Sequence, residues 1–209
     1  MTLSSRSEDS GFVSRETTHR LEIYADLVRK WQKSINLVSA STLGDLWERH
    51  INDSLQITRL AGAPQRWIDM GSGAGFPGLV TGICMAGGSE GWVHLVESNN
   101  KKAAFLRQVI RDTGARASVH PVRIEDVGAD VGEIDAISAR ALASLPELLR
   151  MAQPFAERNP MLQCWFHKGL EYGEEVRSAG DRWSFDLVEH PSVVQEGSVI
   201  LQLTHIKPR

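Results

Sequence analysis

Apolar residues recur at steps of three and four from Leu21 through Tyr24, Val28 and Trp31 to Ile35, the spacing that lays one stripe of a helix against a core. Ser14 stands where its hydroxyl can accept from the first free N–H groups of that helix, so the pattern predicts a helix over about 15–34. A second stripe (Leu43, Trp47, Ile51, Ser54, Thr58) follows the segment NLVSAST and stops at Gly62 and Pro64, where glycine and proline end helices. From Arg66 the period changes. Short β-prone runs (RWIDM, WVHLVES, ASVHPV, IDAISAR, LQCWFHK) alternate with helical stretches, an order that predicts a parallel sheet with crossover helices. Ala103, Leu106, Val109 and Ile110 mark the clearest crossover. At the end, WSFDLVEH and SVILQLTHIK are joined by PSVVQEG, too short for a helical crossover, so this last pair should be antiparallel. The chain therefore reads as α/β, with a disordered arm at 1–13, a helical extension at 14–64 and a core at 65–209 that forms one compact unit with the extension.

Composition narrows the class. With 42% hydrophobic and 23% charged residues, and no apolar run near the roughly 18 residues of a membrane helix, the chain is expected to be a soluble globular protein rather than a membrane one. MTLSSRSEDSGF at the start lacks the basic-then-apolar order of a secretory signal. Cys84 and Cys164 sit in apolar settings without a CxxC pair, and the seven histidines show no HExxH spacing; reduced core cysteines, a cytoplasmic location and no metal are expected. Net charge is −3, so no global field draws the protein to nucleic acid. Locally, Lys101, Lys102, Arg107, Arg111, Arg116 and Arg123 face only Asp112 among acids, which fits a solvated helix face or an RNA-facing patch equally well.

The candidate chemistry lies in WIDMGSGAGFPG, residues 67–78. Gly71, Gly73 and Gly75 bare the main chain to a ligand, and Pro77 suits a first helical turn. A loop from a first strand into a helix is where open α/β sheets bind ligands, with free N–H groups facing out. Two ligand classes compete. Gly73, Gly75 and Gly78 satisfy the dinucleotide fingerprint with Glu97 about twenty residues on, which admits an NAD-dependent oxidoreductase. Asp69, ending the strand beside the loop, is expected to repel a pyrophosphate and to suit S-adenosylmethionine instead. Glu97, closing the second strand, has acceptors for both ribose hydroxyls. Ile124 and Glu125, after the third strand, are placed to cover an adenine face and meet its amino edge. His50 and Asp53, three apart, share a helix face, where they are expected to buttress the pocket rather than only fasten that helix to the sheet.

NLVSAS (36–41), RHINDS (49–54), WIDMGSGAGFPG, LVESNNKKAAFLRQV (95–109), RIED (123–126), ARALASL (139–145) and HKG (167–169) together resemble the RsmG (GidB) family of bacterial small-subunit ribosomal RNA methyltransferases, in order and spacing from about residue 20 to 205. The resemblance implies a Rossmann-like S-adenosylmethionine-dependent methyltransferase. Its reaction would be methyl transfer to N7 of guanine 527 in the 530 loop of 16S rRNA, with the small ribosomal subunit as partner. By position it assigns Gly71, Phe76, Ile124, Glu125 and Arg140 to cofactor contact. Ala139 and Phe76 stand where some members have serine and leucine. Guanine N7 carries a lone pair and no proton, so no general base is needed and alignment is the enzyme's task. Arg140 and Lys168, ending successive strands, are the expected guanine-orienting residues; Arg107, Arg111 and Arg116 are candidates for phosphate. A non-catalytic sensor of an adenosine ligand on the ribosome is a further alternative.

Overall fold

The computed structural model describes residues 13–62, 65–88, 90–128 and 131–209. Of the arm expected at 1–13 only Val13 is among them, and Pro64 also lies outside the described residues.

Ser14 does cap the first helix, α1 (Arg15–Trp31): its Oγ accepts the Thr17 N–H at 3.1 Å. Leu21, Tyr24 and Val28 are fully buried, as their spacing requires. The helix stops three residues short of 34. Gln32 turns back there, and its side chain bonds Leu37 N, Val38 N and Val38 O at 2.9, 3.1 and 2.9 Å. The second stripe is not one α-helix. A 3₁₀ turn (Ala40–Thr42) precedes a π-helical segment (Trp47–Asn52) that runs into α2 (Asp53–Ala61). Such wide turns recur at functional sites, and this one carries His50.

Seven strands form one sheet: β1 (Arg66–Met70), β2 (Trp92–Val96), β3 (Ala117–His120), β4 (Ala136–Arg140), β5 (Gln163–Lys168), β6 (Trp183–Pro191) and β7 (Val199–Pro208). Their order is β3-β2-β1-β4-β5-β7-β6. The first five are parallel, joined by α3 (Gly78–Met85), α4 (Asn100–Thr113) and α5 (Leu145–Arg158), while β7 runs antiparallel between β5 and β6. The antiparallel pairing of the last two strands follows the short connector; that β7 inserts beside β5 was not legible from it. α6 (Tyr172–Gly180) lies between β5 and β6 in sequence.

Two apolar clusters flank the sheet. One joins α1, α2, α3 and α4 to Trp67, Val93 and Leu95, and the other joins α5 to Ile68, Met70, Ile137 and Leu201. Helices on both faces explain why β1 is apolar without strict alternation. The N-terminal helices thus share a core with α3 and α4. The chain winds outward from β1 to β3 and then returns to β4 on the other side of β1. A crevice opens at such a reversal, outside the carboxyl ends of the strands.

Candidate active site

A cavity of about 640 Å³ opens at that reversal. The glycine loop supplies Gly71, Ser72, Gly73, Ala74 and Phe76 to its wall; β2 and its exit supply Val96, Glu97 and Ser98; and the turn after β3 supplies Ile124 and Glu125. Arg140, Ala141 and Leu142 line it after β4, and Leu37, Val38, Ser39, Thr42 and His50 close it from the N-terminal extension.

The loop is shaped by left-handed glycines. Gly71 and Gly73 have φ of +62° and +56°, a region costly for side chains with a Cβ. A Cβ on Gly73 would meet no atom nearer than the Gly71 carbonyl at 3.8 Å, so it would enter the cavity. Gly75 (φ +95°) serves packing instead: a Cβ there would meet Leu79 at 2.5 Å and the Tyr24 hydroxyl at 2.9 Å. It does not line the cavity, and neither does Asp69. Asp69 is fully buried beneath the loop, its Oδ1 accepting from the Ser138 hydroxyl at 2.6 Å. Burial pushes its pKa up to about 6. The expectation that Asp69 faces the ligand and repels a pyrophosphate is therefore corrected, because its side chain points into the packing between β1 and α3: a Cβ on Gly78 would lie 2.6 Å from that of Asp69. Pro77 sits at the cap just before α3, after a cis Phe76–Pro77 bond.

Glu97 lines the cavity with its carboxylate fixed from two sides. Oε2 accepts the Gly73 N–H at 2.8 Å and Oε1 the Asn99 N–H at 2.7 Å. Each oxygen keeps a second lone pair for a ligand hydroxyl. Ile124 and Glu125 stand in a 3₁₀ turn (Ile124–Asp126) on the cavity wall, where the exposed Glu125 pairs with Arg150 at 3.1 Å.

Arg140 is held by the π-helical segment. Its guanidinium donates to the Arg49 carbonyl and the Asp53 carboxylate, both at 3.3 Å, and to His50 Nδ1; it lies 5.3 Å over the Phe76 ring. Since an arginine only donates, His50 Nδ1 must accept, which leaves the proton on Nε2 facing Thr42 Oγ1 at 2.9 Å. Burial, and then the Arg140 charge, lower the His50 pKa to about 4, consistent with that neutral tautomer. Asp53 also meets His167 Nε2 at 3.3 Å and accepts from Ser192 Oγ at 3.2 Å. His50 and Asp53 thus share a face and converge on Arg140.

Lys168 is not brought to the cavity. Its side chain is buried, and Nζ donates to the Ala143 carbonyl at 2.7 Å and Glu175 Oε2 at 2.6 Å; the expected contact with guanine is not what this geometry offers, because the ammonium is taken up by the turn that follows β4 and by α6, and Lys168 does not line the cavity. Of the basic run, Lys102 and Arg123 reach the cavity wall, Arg107 and Arg111 are exposed, and Arg116 is tied to the Gly91 carbonyl at 2.9 Å. Of the wall that the extension supplies, His50 was expected, whereas Leu37, Val38, Ser39 and Thr42 were missed at sequence level. NLVSAS marked the place without revealing that Gln32 folds it over the cavity. Among the described residues no cluster of three or more His, Cys, Asp or Glu could hold a metal, and no helix is long and apolar enough to cross a membrane.

Residues 17–204 match the family model described as rRNA small subunit methyltransferase G (GidB). The chain belongs to this family. Family proteins of the same description from Rhizobium meliloti (strain 1021) and Rhizobium rhizogenes (strain K84 / ATCC BAA-868) are 54% and 55% identical over 94% of this chain and 93% and 96% of theirs. Among solved structures, the magnesium protoporphyrin IX methyltransferase of Synechocystis PCC 6803 with bound S-adenosylmethionine superposes with a TM-score of 0.60 at 13% identity, over 97% of this chain and 100% of that one. The B. subtilis tRNA methyltransferase TrmK gives 0.52 at 12% identity, over 73% and 64%. At such identities the likeness is one of fold, and the fold of this family member is the Rossmann-like methyltransferase fold.

Proposed function

We propose that this chain transfers a methyl group from S-adenosylmethionine to N7 of guanine 527 in the 530 loop of 16S rRNA, with the small ribosomal subunit as its partner. The carrying observation is one cavity whose wall brings together a bared glycine loop, a fixed carboxylate and a clamped arginine. Family membership supports rRNA methylation over the sensor and oxidoreductase readings.

The residues present fit the cofactor. Gly73 leaves space where a Cβ would intrude, and Glu97 presents free lone pairs beside it, which suits a ribose diol. Ile124 offers an apolar face for adenine and Glu125 its polar edge. When bound, S-adenosylmethionine supplies an electrophilic methyl on a positively charged sulfur. The chain's own task is to hold guanine so that N7 points along the methyl–sulfur axis and to keep water out. On this reading Arg140, at the cavity wall, donates to O6 beside N7, the usual arginine–guanine pairing. Because N7 bears no proton, no side chain has to remove one.

An N7-methylated guanine is positively charged and yields a strand break with borohydride and aniline. Cells with the gene should show that break in the 530 loop of 16S rRNA, and deletion cells should not; a break that persists after deletion rules the assignment out. Purified Arg140→Ala should lose more in kcat than in cofactor affinity, since alignment exists only when both ligands are bound. Arg140→Lys should rescue poorly, because a point charge cannot reproduce the planar fork.

A further inference from the structure

We infer that the turn from Ala141 to Leu145 is a rigid lip of the cavity and that Leu142 on it packs against the face of the guanine presented for methylation. This assignment rests on the proposed function and deepens it. Two unfavourable features meet in one dipeptide directly after Arg140. Ala141 has φ +52°, a left-handed conformation that costs a residue with a Cβ about 1 kcal/mol or more. Leu142 lines the cavity yet leaves 40% of its surface exposed. Its side chain leans over Gly71, where a Cβ would collide with Leu142 Cδ1 at 2.5 Å. Strain of this kind persists only where the surroundings over-determine it, and here they do. Lys168 Nζ grips the Ala143 carbonyl at 2.7 Å and Glu175 Oε2 at 2.6 Å, and that same oxygen accepts the Leu145 N–H at 2.6 Å. A half-buried ion pair thus fixes the second half of the turn at two points, which gives Lys168 a positioning role.

A purine drawn out of its stack loses apolar contact on both faces, and enzymes that act on bases restore it with apolar or aromatic side chains. The aromatic ring of the cavity wall is already covered: Phe76 has Tyr24 and His50 each at 5.0 Å and Arg140 at 5.3 Å. Among the large apolar side chains that line the cavity, Leu142, two residues along the chain from Arg140, is the exposed one, at 40%. Arginine reads the edge of the base and leucine supports its face.

Methyl transfer to 16S rRNA in small subunits from deletion cells provides the test, with S-adenosylhomocysteine affinity and Tm measured on the same proteins. Leu142→Ala should lower kcat/KM for the RNA by about tenfold or more, the scale of apolar groups lost from a pocket. Cofactor affinity and Tm should stay near wild type, since a side chain this exposed contributes little to stability. Leu142→Met, similar in length and apolar, should recover most of the activity, and the near-isosteric Leu142→Asn should not. An equal loss of S-adenosylhomocysteine affinity in Leu142→Ala would place the side chain on the cofactor and overturn the inference, as would an unchanged kcat/KM. Absence of transfer by the unaltered protein would instead overturn the proposed function, and this assignment with it.

Discussion

Glu97 shows how one side chain can build a cavity wall. Its two oxygens accept the Gly73 and Asn99 N–H groups, so the carboxylate sets the distance between the glycine loop and the start of α4, and on the proposed function its remaining lone pairs take the ribose hydroxyls. Glu97→Ala should weaken S-adenosylhomocysteine binding by about 1.5 to 3 kcal/mol, the range for hydrogen bonds to a charged group. Glu97→Gln should not rescue it, because an amide sets an NH₂ donor against one of the two backbone donors. Calorimetry on folded variants checks both; wild-type affinity in either would remove Glu97 from the cofactor site.

At the level of elements, the N-terminal helices work as scaffolding for the loop. Tyr24 of α1 donates to the buried Ala74 carbonyl at 2.5 Å, and its ring lies against Phe76. Gly75 must lack a Cβ partly because the Tyr24 hydroxyl occupies that space. Gln32, at the end of the same helix, folds the 37–38 segment over the cavity through three hydrogen bonds. Tyr24→Phe would leave the Ala74 carbonyl buried without its partner, which costs about 1 to 3 kcal/mol. Urea unfolding should show a lower midpoint at unchanged slope, together with weaker cofactor binding; an unshifted midpoint would mean the contact contributes nothing. The π-helical segment does comparable work on the other side, offering the Arg49 carbonyl and His50 to Arg140 just before Asp53 opens α2.

For the molecule as a whole, two buried groups give stability opposite dependences on pH. His50 takes a proton near 6.5 when unfolded but only at about 4 in the folded chain, so its contribution is lost as pH falls through that interval. Asp69 gives up its proton near 4 when unfolded but holds it to about 6 when folded, so its contribution is lost as pH rises through nearly the same interval. Each shift corresponds to roughly 3 kcal/mol at most, and they largely offset. Asp69→Asn removes one of them, and its stability relative to wild type should rise by up to about that amount between pH 4 and 6. Thermal unfolding of the two proteins across this range measures the difference. A constant difference would show that Asp69 does not titrate there.

Local patterns specified much of this protein. The 3-4 spacing from Leu21 to Val28 with Ser14 before it specified α1 and its cap, the β-prone runs specified five parallel strands, and the short final connector specified an antiparallel pair, because each depends on neighbours in the chain. That the glycine loop and Glu97 line one cavity was legible because left-handed turns after a strand require glycine at particular positions and an acid stood where the next strand ends. What tertiary structure decided concerns direction. Asp69 and Lys168 lie next to or at the carboxyl ends of their strands, yet one points toward Ser138 and the other toward Glu175 and the Ala143 carbonyl, because each finds its partner on another element. Likewise the π-helical turn and the insertion of β7 beside β5 are set by packing between remote segments. A sequence pattern places a side chain on an element, but only the partner across the fold determines where that side chain can satisfy its charge or hydrogen bonds.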